Sequence, residues 1–267
     1  MTAVAAAGLV GLGVVIGAFG TLIGAGGGFL LVPLLLLVYH FPHPAAVGTS
    51  LALVFINATS GTVAYLRQRR VDLSLGWKFA AATIPGAVAG AFVSRSLSTS
   101  AFSLVFGAVL LGIALVLATG RTMPPSRRAD VRRVVDARGE THAYAVDVWK
   151  GVAVSFVVGL MSSILGIGGG IVHVPFLIVV LSLPVHVATA TSHFVLSISA
   201  FVGAATFYAL GDVDVPTTLL MGAGVLVGAQ IGARASLRAS ATTIRWILAA
   251  ALALVGLRMV LHAVHLA

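Results

Sequence analysis

Cysteine is absent from the 267 residues. That excludes disulfides, zinc–thiolate sites and iron–sulfur clusters, and it leaves the redox compartment unread. Charge is scarce: Asp, Glu, Lys and Arg make up 9% of the chain, against roughly a quarter in soluble domains. The seven acidic residues, Asp72, Asp130, Asp136, Glu140, Asp147, Asp212 and Asp214, fall in loops or at the edges of apolar runs. With no carboxylate inside a run, the usual Asp/Glu proton relay of membrane carriers is missing. An enzyme needs a nucleophile–base pair, paired carboxylates or a metal constellation. The chain offers no H-E-x-x-H, and Ser192 and His193 are adjacent, hence about 100° apart on a helix. No catalytic residue, metal site or cofactor is expected, and the chain does not read as an enzyme.

What is present is apolar. Hydrophobic residues make up 59% and the mean hydropathy is +1.11. Runs of about 20 apolar residues match a hydrocarbon core of about 30 Å. They are continuous rather than alternating, which predicts helices and not barrel strands. The expected fold is an all-α polytopic membrane protein, with the lipid bilayer as its surroundings. The opening MTAVAAAGLVGLGVVIGAFG lacks a basic leader and reads as the first span. The net charge of +9 sits in short loops between spans, where it sets topology rather than binding nucleic acid. Whether the chain forms a homo-oligomer is left open.

A shift of 142 residues aligns the chain with itself: 17–96 and 159–238 are identical at 24 of 80 positions without a gap. Chance identity for this composition is ~10%, so the match is an internal repeat. Each half supplies five apolar segments: 3–22, 28–39, 45–66, 76–94 and 100–119, then 148–165, 170–182, 187–210, 215–233 and 243–264. The second segment of each half, about 12 residues or ~18 Å as a helix, is short or re-entrant. This divides the chain into an N-terminal repeat, 1–119, a linker, 120–147, and a C-terminal repeat, 148–267. The linker carries Pro-Pro and six Arg.

An odd number of crossings per half inverts the second half, and loop charge agrees. Arg67, Arg69, Arg70 and Lys78 follow the third segment, whereas the equivalent GDVDVP has Asp212 and Asp214 and no base. The next loop reverses this, with Arg95 alone against Arg234, Arg238 and Arg245. Two inverted five-segment repeats, about ten transmembrane segments, a cytoplasmic linker and external termini follow from the positive-inside rule. That orientation puts 14 of 16 Lys/Arg in the cytoplasm. If the short segments are re-entrant, eight helices cross and the parity argument lapses.

Two glycine clusters interrupt the greasy runs: GAGGGFLLVP at 24–33 and GIGGGIVHVP at 166–175. A helix broken at depth exposes the amides of its next piece, and those with the helix dipole attract anions. Glycine lets a ligand approach the backbone, and Pro33 and Pro175 keep the next piece short or kinked. Gly26, Gly27, Gly28, Gly168, Gly169 and Gly170 are therefore candidate ligands of a small anion near the midplane; close helix packing is the other reading. Gly86/Gly90 and Gly228/Gly232 fit packing better. Thr49/Ser50 and Thr191/Ser192 offer hydroxyls to an oxyanion or back-bond to their own helices. Asn57 and Ser199 are repeat equivalents two turns further in, and either line the path or bridge helices. His173 and His193 replace Leu31 and Leu51 of the first half, so the scaffold does not require them; a protonated imidazole binds an anion and exchanges protons near neutral pH. His40, His43 and His186 are expected to be solvated in loops.

The doubled G-x-G-G-G-x-x-x-x-P, each followed by P-x-x-x-A-x-x-T-S (Pro42–Ser50 and Pro184–Ser192), resembles the sulfite exporter TauE/SafE family. The resemblance covers nearly the whole chain except the linker. It implies an inner-membrane permease of a bacterium or archaeon for small sulfur-containing anions: sulfite, thiosulfate or organosulfonates. It supplies no residue-level mechanism and does not name the anion, its direction or a coupling ion. The alternatives are a permease for another small anion and an accessory or assembly protein that transports nothing.

Overall fold

The computed structural model describes residues 3–119 and 129–266. Helix α1 (Ala3–Leu22) is followed by α2 (Gly28–Pro33), which runs directly into a π-helical turn, Leu34–Val38. Then come α3 (His43–Arg67), α4 (Leu73–Ser96) and α5 (Thr99–Thr119). The second series is α6 (Val148–Leu165), α7 (Gly170–Val179), α8 (Val185–Ala209), α9 (Val215–Ala235) and α10 (Ala241–Leu266). Each apolar segment of the sequence thus appears as a helix within a few residues of its expected ends. Six of them, α3, α5, α6, α8, α9 and α10, are long and apolar enough by themselves to cross a membrane.

Helix ends follow local chemistry. Asp72, Asp147 and Asp214 cap α4, α6 and α9, accepting from the amides of Leu75, Lys150 and Thr217 at 3.0, 3.2 and 2.9 Å. Acidic residues at the run edges are therefore N-caps, each worth about 1 kcal/mol. Pro33 and Pro175 lie inside short helices and deny the ladder an N–H. Beyond them the ladder widens identically: Tyr39 N–H donates to Leu34 O at 3.1 Å and Leu181 N–H to Phe176 O at 3.2 Å.

Helices pack α1 against α9, α4 against α6, α5 against α10 and α3 against α8. Under the 142-residue shift, α1–α5 map onto α6–α10; the first two pairs exchange and the last two map onto themselves. Small residues permit this closeness. A Cβ added at Gly86 or Gly90 would strike the Phe156 or Leu160 carbonyl of α6, and one at Gly228 or Gly232 would strike Val14 or Ala18 of α1.

Two expectations are corrected. The fold is not wholly α: linker residues form an antiparallel hairpin, β1 (Asp130–Val135) with β2 (Thr141–Val146), in register from Asp130↔Val146 to Val135↔Thr141. His142, Tyr144 and Val146 alternate inward along β2, as a pleated strand requires. Tyr144 and Val146 pack on Leu177, Leu181, Leu183 and Val187 at the α7–α8 junction. His43 and His186 are also not solvated loop residues. His43 opens α3, is buried, and lies with Nε2 2.8 Å from the Ser94 carbonyl; His186 is half-buried in the first turn of α8. His40 is exposed as expected.

Candidate functional site

The glycine runs do two jobs. Gly24, Gly26 and Gly27 have φ of 76°, 73° and 83°, and Gly166, Gly168 and Gly169 have 70°, 76° and 81°. A residue with a Cβ resists this left-handed region by about 1–2 kcal/mol. The fourth glycine serves close approach. A Cβ on Gly28 would lie 2.7 Å from Gly166 O, and one on Gly170 would lie 2.6 Å from Gly24 O. The two breaks therefore meet backbone to backbone. Gly27 and Gly169 precede α2 and α7 without any side-chain cap, so the first-turn amides lack the partner a Ser or Asp would supply.

The first break is tied shut. Asn57 Nδ2 donates to the Gly26 carbonyl at 3.0 Å and to Gly17 O at 3.4 Å. Thr21 Oγ1 donates to Asn57 Oδ1 in a short hydrogen bond, and Tyr65 Oη donates to Thr21 O at 2.6 Å. His193 Nε2 lies 3.4 Å from Thr21 Oγ1.

The second break is different. Gly168, Gly169, Gly170, His173, Ser192 and Ser199 border a small cavity with Thr83 and Leu196, about 160 Å³ of empty space with no room for a water-sized sphere. Ser192 Oγ, Ser199 Oγ and His173 Nδ1 are buried and have no hydrogen-bond partner among the described residues. Ser162, beside Gly169, is likewise unpartnered. Ser155 Oγ donates to Gly151 O at 2.7 Å and sits 3.3 Å from His173 Nε2. The ring carries its hydrogen on Nε2, which leaves Nδ1 as a lone-pair acceptor. Unsatisfied buried polar groups are uncommon in folded proteins, and several of them gather around this glycine break.

Of the sequence candidates, Gly168, Gly169, Gly170, His173, Ser192 and Ser199 come together around this cavity. Gly26, Gly27, Gly28, Asn57 and His193 belong to the tied break. Ser50 Oγ donates to the Gly166 carbonyl at 2.7 Å and pins the two breaks. Thr49 and Thr191 lie elsewhere. Thr49 Oγ1 accepts from Asp214 N–H at 2.9 Å and Thr191 Oγ1 from Asp72 N–H at 3.0 Å, so each holds the helix start of the opposite half. Sequence reasoning missed Thr21, Thr83, Ser155 and Ser162. Thr21 and Ser163 are a polar pair across the repeat in a very apolar segment, and that was the available signal.

Residues 9–259 match the family model described as Sulfite exporter TauE/SafE. The chain is 32% identical to the probable membrane transporter protein YunE of Bacillus subtilis over 94% of its own length and 96% of the relative. It is 27% identical to a probable membrane transporter protein of Methanocaldococcus jannaschii, covering 95% and 94%. No solved structure matches.

Proposed function

We propose that this membrane transporter, a chain that belongs to the sulfite exporter TauE/SafE family, carries a small sulfur-containing anion such as sulfite, thiosulfate or an organosulfonate past its second helix break. The observation that carries the reading is the set of unpartnered groups, Ser192 Oγ, Ser199 Oγ and His173 Nδ1, around the uncapped start of α7. Two hydroxyls and the first-turn amides replace part of an oxyanion's water shell, and the helix dipole favours its charge. No carboxylate borders the cavity to repel it.

His173 sets a condition. Its bare Nδ1 accepts a hydrogen bond from a protonated oxyanion or takes up a proton alongside a fully ionised one; either way anion and proton travel together. The cavity has no room for a water-sized sphere, so an anion passes only when the break widens. Rocking of two inverted halves, 1–119 and 148–267, supplies the widening. Helix pairs that exchange under the repeat shift and the opposite charge of equivalent loops support that reading. Linker 120–147 then lies on the cytoplasmic side of an inner membrane.

Purified protein in liposomes tests this. Labelled sulfite, thiosulfate and an alkylsulfonate are offered with and without an inward pH gradient. At least one is expected to enter, faster with the gradient. Ser192→Ala with Ser199→Ala is expected to cut that flux about tenfold, the loss of one charge-assisted hydrogen bond or more. Absence of flux or binding for every anion leaves an accessory role, and unchanged flux in the double variant removes the second break as the site.

A further inference from the structure

A second cavity lies far from the helix breaks in sequence and chemistry. About 470 Å³ in volume, it is bordered by the α3–α4 turn and strand β1, with Arg69, Arg132 and Arg133 around it and Asp72 as the one acid. Asp72 is already engaged. Its carboxylate caps α4, accepts from Tyr144 Oη at 2.7 Å and from Arg132 Nη1 at 3.2 Å. Burial, then the Asp72 hydrogen bond, pushes the Tyr144 hydroxyl above its ordinary pKa, so it stays a donor. Arg132 Nε is buried without a partner, and neither Arg69 nor Arg133 has an acidic partner among the described residues. Three arginines thus border the cavity, and its one carboxylate is already engaged.

The repeat shows that the turn does not need its arginine. Arg69 has φ of 55°, and its equivalent Gly211 has 81°. Both copies require the left-handed region at this position. Glycine meets that need freely, whereas arginine adopts it at a cost of about 1–2 kcal/mol. The equivalent loop of the second copy carries Asp212 where the first has Arg70, and Asp214 where it has Asp72. The cavity's arginines therefore come from one turn, where the repeat places Gly211 in the position of Arg69, and from strand β1 of the linker, which lies outside the repeat.

We propose that Arg69, Arg132 and Arg133 form a binding site for a tetrahedral oxyanion, a phosphate or sulfate type of group, where the hairpin meets the α3–α4 turn. Guanidinium forks match such oxygens in pairs. The group reaches the site from either of two sources. Exposed Leu66, Leu73 and Trp77 flank the turn, which places the arginines at the rim of an apolar belt and within reach of a lipid phosphodiester. The cavity is also open to a free anion from water. The site is independent of what passes the second helix break.

The test uses the full-length protein, stripped of lipid in a neutral detergent. Inorganic phosphate and sulfate are titrated calorimetrically. Separately, nanodiscs of phosphatidylcholine with and without phosphatidylglycerol are prepared, and co-purifying lipid is read by native mass spectrometry. Binding of free phosphate or sulfate assigns the site to soluble anions; selective retention of phosphatidylglycerol without it assigns the site to headgroups; either supports the proposal. Arg69→Gln with Arg133→Gln, two exposed residues with no acidic partner among the described residues, is expected to weaken the bound ligand at least about tenfold. Arg95→Gln, at the opposite end of α4, leaves it unchanged. Failure of the wild-type protein to bind phosphate, sulfate and phosphatidylglycerol alike overturns the proposal, as does equal affinity in the double variant and the wild type.

Discussion

The two glycine breaks share backbone torsions but not surroundings. At the first, Asn57 and Thr21 consume the polar groups; at the second, the hydroxyls of their repeat equivalents Ser199 and Ser163 make no hydrogen bond among the described residues. Ser50 reaches across to Gly166, while its equivalent Ser192 reaches nothing. Leu31 sits where the other half has His173. The two breaks thus differ in how far their buried polar groups are satisfied. What the breaks keep in common holds the backbone; what they do not share is the set of side chains on which the proposed anion site rests.

The common part breaks hardest. Gly28→Ala and Gly170→Ala each drive a methyl into the opposite break, 2.7 and 2.6 Å from a carbonyl oxygen. Overpacking of this kind costs about 1–3 kcal/mol and sometimes more, and rigid backbone on both sides puts these at the upper end. The two substitutions are expected to lower the melting temperature in detergent equally and by many degrees. A large effect at one and none at the other would show that the contact is not shared.

The divergent part separates stability from transport. Asn57→Ala strands the Gly26 carbonyl and the Thr21 hydroxyl in a dry interior, at about 1–3 kcal/mol. Ser199→Ala removes a hydroxyl that makes no hydrogen bond and is expected to be neutral in melting while it slows anion flux. Equal melting losses would mean that Ser199 has a structural partner. Ser199→Asn reproduces the first break's side chain in the second; it is expected to seal the cavity, preserve the fold and suppress flux.

The scaffold was legible because its signals are repeated and local. Apolar length gave the helices, Pro33 and Pro175 gave the kinks, and the doubled glycines gave the meeting point. The difference between the two breaks was not legible. Asn57 and Ser199 look alike as polar residues at one repeat position, and only packing reveals that one is consumed and the other idle. Thr49 and Thr191 looked like ligands because a hydroxyl's partner, here the amide of Asp214 or Asp72, lies across the molecule. The hairpin was hidden by charge: arginines on β1 mask the inward alternation of His142, Tyr144 and Val146 on β2.

The smallest effect concerns the loops that distinguish the halves. Arg70 lies 3.7 Å from Asp136 in a buried cluster with His142, whereas its repeat equivalent, Asp212, pairs with Arg95 at 2.9 Å near the surface. An exposed pair contributes about 0–1 kcal/mol. Burial works against the Asp136 carboxylate, but amide donors from Glu140 and Arg138, with His142 and Arg70 beside it, hold its pKa below the ordinary 3.8. A depressed carboxylate stabilises the fold above its unfolded pKa and loses that contribution as pH falls through the folded value. Hairpin docking is thus expected to be unchanged between pH 7 and 5 and to weaken only as pH falls below 3.8. Hydrogen exchange at 130–146, compared with 210–214, reads this directly. Loosening of the hairpin already between pH 7 and 5 would show that Asp136 is not the charge that holds it.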